Sequence, residues 1–190
     1  MKRYIRAKIV DPLSDDPDMI EQFVRDDATP DWALDRLYDS SDKDIKRRVL
    51  RHPNTGTKTL RKVAKQPDFD NKQIIVDSPN TKYDVLKYLV HDHFPIIRYK
   101  AILHSNMPAD ALAELASDPD WRAREAVAKN DNTSIDTLIQ LSDDAYWPVC
   151  SAVARRDGLP QEVYAKLAKH KNAYVSGPAK AQLSRITPEG

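Results

Sequence analysis

The chain holds one cysteine, Cys150, and four glycines in 190 residues. A single thiol forms no intrachain disulfide and builds no cysteine-ligated cluster, so neither device holds this fold together. So little glycine also argues against long flexible linkers, and neither a glycine-rich phosphate loop nor a Gly-x-Ser-x-Gly nucleophile element is present. No apolar run approaches the roughly 20 residues of a membrane-spanning helix. The opening segment, MKRYIRAKIVDPL, is basic but lacks the unbroken apolar stretch of a signal peptide, so a cytoplasmic chain with no membrane partner is expected. A large charge imbalance is missing too. The formal net charge is +1, which gives no global pull toward nucleic acid or lipid.

What the chain does have is a repeat. Set in rows of 26 residues from about Asp16 onward, the same chemistry falls into the same columns. One column reads Leu34, Leu60, Leu86, Leu112, Leu138, Tyr164, and three residues later another reads Leu37, Val63, Leu89, Leu115, Leu141, Leu167. A third, Phe23, Val49, Ile75, Ala101, Val127, Val153, Ala179, has an equally apolar neighbour running from Val24 to Ala154. Self-similarity at a short fixed period marks a solenoid, in which each unit covers the apolar flank of the next. The sequence therefore predicts an all-α solenoid of about six 26-residue two-helix repeats, with a terminal half repeat from Asn172. Residues 16–184 read as one helical-repeat domain, 1–15 as an N-terminal cap and 185–190 as a C-terminal tail.

The fifth row shows the grammar of a unit. Asp118-Pro119-Asp120 supplies capping oxygens, and Trp121 to Lys129 carries Ala123, Val127 and Ala128 at helical spacing. Asn130-Asp131-Asn132 is turn chemistry, and Thr133 to Asp136 reads as a capping box opening a helix with Leu138 and Leu141 inward. So short a row cannot hold two long helices; helix A is expected to span about two turns and helix B about ten residues. The column Asn54, Asn80, Asn106, Asn132 suits left-handed turn geometry with the side chain bonding its own backbone. Gly177-Pro178 is expected to disturb the last helix.

The stretch DPDWRAREAVAKNDNTSIDTLIQLSDD resembles the leucine-rich repeat variant family, a group of short bacterial helical repeats similar in style to HEAT repeats. The matching elements are the Asp-x-Asp lead-in, the Ala-Arg-x-x-Val-Ala segment, the Asn-x-Asn-Thr turn and the Leu-x-x-Leu helix, and weaker copies cover about residues 16–184. The resemblance implies a right-handed superhelix in which α-helices alternate with shorter, sometimes 3₁₀, helices. It implies no activity, because the matched residues are core, cap and turn. The cysteine cluster associated with that family has no ligands here.

Several positions could carry function. The basic column Lys46, Lys72, Arg98, Arg124 either pairs internally with Asp42, Asp68, Asp118 and Asp120 or tracks a phosphate backbone along the stack. From Asp42 to Lys65, nine cations face only Asp42 and Asp44, a local charge of +7; from Asp110 to Asp144 the balance is −6. Arg47, Arg48, Arg51, Arg61, Lys62 and Lys65 are the candidates for gripping nucleic acid or an acidic partner. Trp121 and Trp147 share a column, with Tyr146 and Tyr174 close by, and form either a binding ridge beside Arg122 and Arg155 or packing over the start of helix A. His91-Asp92-His93 has no third ligand in sight, and His52 and His104, two repeats apart, are separated by roughly 16–20 Å. No metal and no cofactor is expected, and Cys150 reads as a buried, inert thiol.

These readings favour a non-enzymatic scaffold that binds a protein or peptide on an extended face. A nucleic-acid-binding protein centred on the second repeat is the alternative. A DNA glycosylase-like HEAT-type enzyme is a remote third, and would need an acid beside Trp121 or Trp147. The opposed charges of the two ends would also allow head-to-tail self-association.

Overall fold

A computed structural model describes residues 17–186; the expected cap at 1–15 and residues 187–190 of the expected tail lie outside them. Among the described residues all regular structure is helical, in thirteen α-helices. The chain divides into two compact units, Met1–His91 and Asp92–Gly190.

The first unit holds three helix pairs: α1 (Pro17–Arg25) with α2 (Asp31–Leu37), α3 (Lys43–Arg51) with α4 (Thr57–Ala64), and α5 (Phe69–Asp77) with α6 (Tyr83–Leu89). The first helix of each pair, helix A, packs on the A helices before and after it, α1 on α3 on α5, and the B helices do likewise, α4 on α6. The second unit repeats the plan with α7 (Pro95–Leu103) and α8 (Ala109–Leu115), α9 (Trp121–Lys129) and α10 (Ile135–Leu141), α11 (Trp147–Ala154) and α12 (Gln161–Leu167), closed by the unpaired α13 (Ala173–Ile186). Its A helices stack in the order α7, α9, α11, α13. Within each unit this is the layered stacking of an α-solenoid, and the two leucine-type columns are buried throughout. Each such residue contributes about 1.5–3 kcal/mol by leaving water.

The helix lengths invert the expectation. The A helices span 8–9 residues before the last, and the B helices only 7–8. The reason lies in the turn between them. Thr133 does not open a capping box: its hydroxyl donates back to the Val127 carbonyl at 2.5 Å and closes α9. Helix α10 is capped instead by Ser134, whose Oγ accepts the Thr137 N–H at 3.2 Å. Thr29, Thr55 and Thr81, each 26 residues or a multiple from Thr133, make the same bond to Phe23, Val49 and Ile75. The short helices are regular α-helices rather than 3₁₀ turns.

The asparagine column also acts differently from expectation. No non-glycine residue among those described has positive φ. Asn54 instead donates its side-chain amide to the Asp27 and Thr29 carbonyls, and Asn132 to those of Ser105 and Met107, each one repeat earlier. A buried polar column runs beside it. His52 Nε2 bonds the Asp26 carbonyl while its Nδ1 accepts the Asn54 N–H, which fixes the Nε2–H tautomer. Asn130 donates to the Ile102 and His104 carbonyls, and Arg156 to those of Ala128 and Asn130. Every A–B turn of this kind is thus bolted to its predecessor by side chains that satisfy carbonyls the helix end leaves open.

Finally, Gly177-Pro178 does not interrupt the last helix: α13 runs unbroken for 14 residues with Pro178 inside it and continues through Arg185 and Ile186.

Candidate functional site

The tryptophans of the second unit stand at the first position of their helices, α9 and α11, on the edge where the A helices begin. Trp121 stacks on Tyr146, with ring centroids 6.3 Å apart and planes 10° from parallel. Trp147 stacks on Tyr174 at 5.6 Å and 26°. Because Tyr146 and Trp147 are neighbours in sequence, the two pairs form one run of four rings across α9, α11 and α13. Three of its rings are exposed, Tyr146 at 51%, Trp147 at 44% and Tyr174 at 67%, while Trp121 is half-buried. The two tryptophans are those that share a column in the sequence, and the rings that join them are the tyrosines close by.

Two guanidiniums bracket the ridge. Arg122 lies 4.8 Å from the Trp121 ring centroid. Arg155 donates to the Ser151 carbonyl at 2.7 Å and to its hydroxyl, which in turn donates to the Tyr174 carbonyl at 2.7 Å. Beneath the ridge Arg124 holds Asp144 through two N–H···O bonds of 2.6 and 3.0 Å and lies 5.6 Å from the Tyr146 ring. Burial pushes the Asp144 carboxyl up, but the Arg124 hydrogen bonds, the Tyr146 N–H and the guanidinium charge together hold it below the usual carboxylate range. At Asp120 the Arg122 backbone N–H leads; burial opposes it, and Arg98 adds to the lowering. Both acids beside the tryptophans are therefore ionised and ion-paired.

Charge in this unit is sorted by helix row. On α7, α9, α11 and α13, counting the Arg155 cap, every exposed charged residue is basic: Arg122, Lys129, Arg155, Lys180 and Arg185. On α8, α10 and α12 the exposed ones are Asp110, Glu114, Asp136 and Glu162, with Lys166 as the exception. The acidic segment read from the sequence is acidic on its B helices and turns, and its A-helix face is cationic and aromatic.

The basic column turns inward. Arg98 bonds the Asp92 carbonyl and pairs with Asp120 at 3.2 Å, and Arg124 bonds the Asp118 carbonyl as well as Asp144. Lys72 is 4% exposed. Asp118 caps the Asp120 N–H rather than meeting a cation side chain. Arg98 and Arg124 thus brace successive repeats, while Lys46 lies 5.7 Å from the Tyr38 ring centroid.

The six cations named for the second repeat do not share one surface. Arg47, Arg48 and Arg51 belong to α3, and Arg61 and Lys62 to α4, with Lys65 as its cap. Arg48 grips Glu21 with both guanidinium arms, Arg61 pairs with Asp84 and Lys62 with Asp39. Arg47 reaches Asp70 at 3.5 Å, and Lys65 lies 4.8 Å from the Tyr88 ring centroid. Arg51 makes no ion pair with a described residue. Arg47 and Arg51 separate two open clefts of about 590 and 720 Å³, one against α5 and one against α1, in which acids match the bases.

Cys150 is 2% exposed, with its thiol against the Asp144 carbonyl at 3.2 Å, and burial pushes its pKa up. No cluster of three or more metal-ligating side chains occurs among the described residues. None of their helices is long and apolar enough to cross a membrane.

No protein-family model and no curated protein matches the chain. Among solved structures it is similar to a designed armadillo repeat protein in complex with the peptide (KR)4, at 14% identity over 93% of this chain and 96% of that one, with a TM-score of 0.41. It is also similar to an engineered protein, at 17% identity over 89% of each chain, with a TM-score of 0.38.

Proposed function

We infer that this protein is a non-enzymatic helical-repeat scaffold that binds a protein or peptide segment along the A-helix face of its second unit. One observation carries the reading: four aromatic side chains, stacked in two pairs, line the starts of the A helices across three repeats, and three of them, Tyr146, Trp147 and Tyr174, are exposed to solvent. Aromatic rings of this kind supply large contact area for little lost side-chain entropy, which makes them the usual anchors of recognition surfaces. The repeats are of the leucine-rich repeat variant kind on their Ala-Arg-x-x-Val-Ala and Leu-x-x-Leu elements, and a cytoplasmic setting suits a chain whose one thiol stays free.

The competing readings have less support. Phosphate binding by the second repeat would draw on cations that are split between two helix rows and largely neutralised by Glu21, Asp39, Asp70 and Asp84. A glycosylase-like chemistry would need a free acid at the tryptophans, and the acids there are engaged by arginines. The test is selection of binders from a displayed random-peptide library by the purified protein, repeated with the Trp147→Ala/Tyr174→Ala variant. Selected peptides should lose affinity for the variant by tenfold or more, and equal binding to both would remove the ridge from the function.

A further inference from the structure

Resting on that reading, we propose that the partner of the A-helix face is an extended acidic peptide. Its carboxylates meet Arg122 and Arg155 at the two ends of the ridge, and its apolar or prolyl side chains lie along Tyr146 and Trp147. Charge complementarity selects this class. The carboxylates at the ridge, Asp120, Asp143 and Asp144, are paired with Arg98, Lys166 and Arg124, and the exposed charged residues on the helices themselves are cationic. Arg122 is 61% exposed, and its distance to Asp120, 3.6 Å, is that of a loose pair an incoming carboxylate can displace. No carboxylate among the described residues pairs with Arg155.

Ring geometry separates a peptide from single-stranded nucleic acid, which reads aromatic surfaces by stacking bases on open ring faces. Here much of the face area is already engaged within the protein, and Trp147 and Tyr174 cover one face of each other. Trp121 meets Arg122 and Tyr146, Tyr146 meets Arg124, and Trp147 meets Tyr174. The ring edges of the stacked pairs carry a positive quadrupole that favours carbonyl and carboxylate oxygens, and ring carbon favours aliphatic contact.

The experiment uses three labelled probes on the full chain, read by fluorescence anisotropy: a short peptide alternating Glu with Pro and Leu, its counterpart with Lys at every Glu, and oligo(dT). The acidic peptide should bind at least tenfold tighter than the basic one, weaken with salt, and lose about tenfold on Arg122→Glu, an exposed change that leaves the core alone. Equal or tighter binding of the basic peptide, abolished by Trp147→Ala, would overturn the acidic assignment and leave the ridge as a peptide site. If neither peptide binds, the peptide-scaffold reading fails with it. Tighter binding of oligo(dT), or a self-associated form that the acidic peptide dissociates, would overturn the proposal in favour of nucleic acid or a second copy of the chain.

Discussion

The Ser151 hydroxyl donates to the Tyr174 carbonyl at 2.7 Å, the acceptor whose helical partner would have been the N–H that Pro178 lacks. A proline inside a helix orphans the carbonyl four residues back. Here the neighbouring A helix supplies the missing donor, so α13 runs straight through a dipeptide that would ordinarily end it.

Ser151→Ala should therefore destabilise the protein by about 1–2 kcal/mol, the cost of leaving a partly buried carbonyl unpaired. In a Pro178→Ala background the helix recovers its own N–H, and the same substitution should cost about 1 kcal/mol less. Urea unfolding of the four proteins measures the coupling. Additive effects would mean that Ser151 serves Arg155 alone.

The Arg124–Asp144 pair sets part of the acid limit. Asp144 is held below its ordinary range when folded, so its contribution is complete above the unfolded carboxyl value of about 3.9 and disappears as pH falls through the lower folded value. Asp144→Asn should cost about 3–5 kcal/mol at neutral pH, because Arg124, 13% exposed, loses its counter-charge. It should also flatten the fall in stability as pH drops below about 4. Denaturant midpoints across that range, wild type against variant, give the comparison; parallel curves would show that other carboxylates control the acid limit.

The repeat and its core were legible because a 26-residue period leaves the same apolar residue in the same place, and burial follows. The polar bolts were not, because the residues performing them differ in type: His52, Asn130 and Arg156 stand in one column, sharing only the capacity to donate to a carbonyl one turn back. The threonine column at 29, 55, 81 and 133 was visible as a pattern and would have revealed that helix A ends on a side-chain bond. At the candidate site, the tryptophan column was readable from spacing. The sorting of charge between helix rows was not, since a sum along the chain merges two faces that point apart.

Asn130 tests the bolts directly. Its amide satisfies two buried carbonyls, of Ile102 and His104, while its Oδ1 accepts the Asn132 N–H at 2.8 Å. Asn130→Ala strands all three and should cost about 2–4 kcal/mol. Asn130→His, which copies the residue at 52 and 104, should recover at least half of that loss. Thermal denaturation resolves the difference, and a His variant no better than Ala would show that the column is not interchangeable.

Gly158 closes the series of turns in a different way. It stands 26 residues after Asn132, and it alone among the described residues has positive φ, at +78°. Where earlier turns use asparagine at negative φ to reach back one repeat, the equivalent Asp131 carbonyl is met here at 3.5 Å by Arg156, two residues earlier, and the backbone turns left-handed instead. A Cβ at this position meets nothing within 4 Å, so substitution is opposed by backbone conformation alone. Gly158→Ala should cost about 1–2 kcal/mol, the left-handed penalty for an ordinary residue. Gly158→Asn should cost less, since its short polar side chain tolerates that region. Urea midpoints for both variants decide it; equal losses would mean the side chain collides in a conformation the turn takes up on substitution, and that sterics rather than φ govern the site.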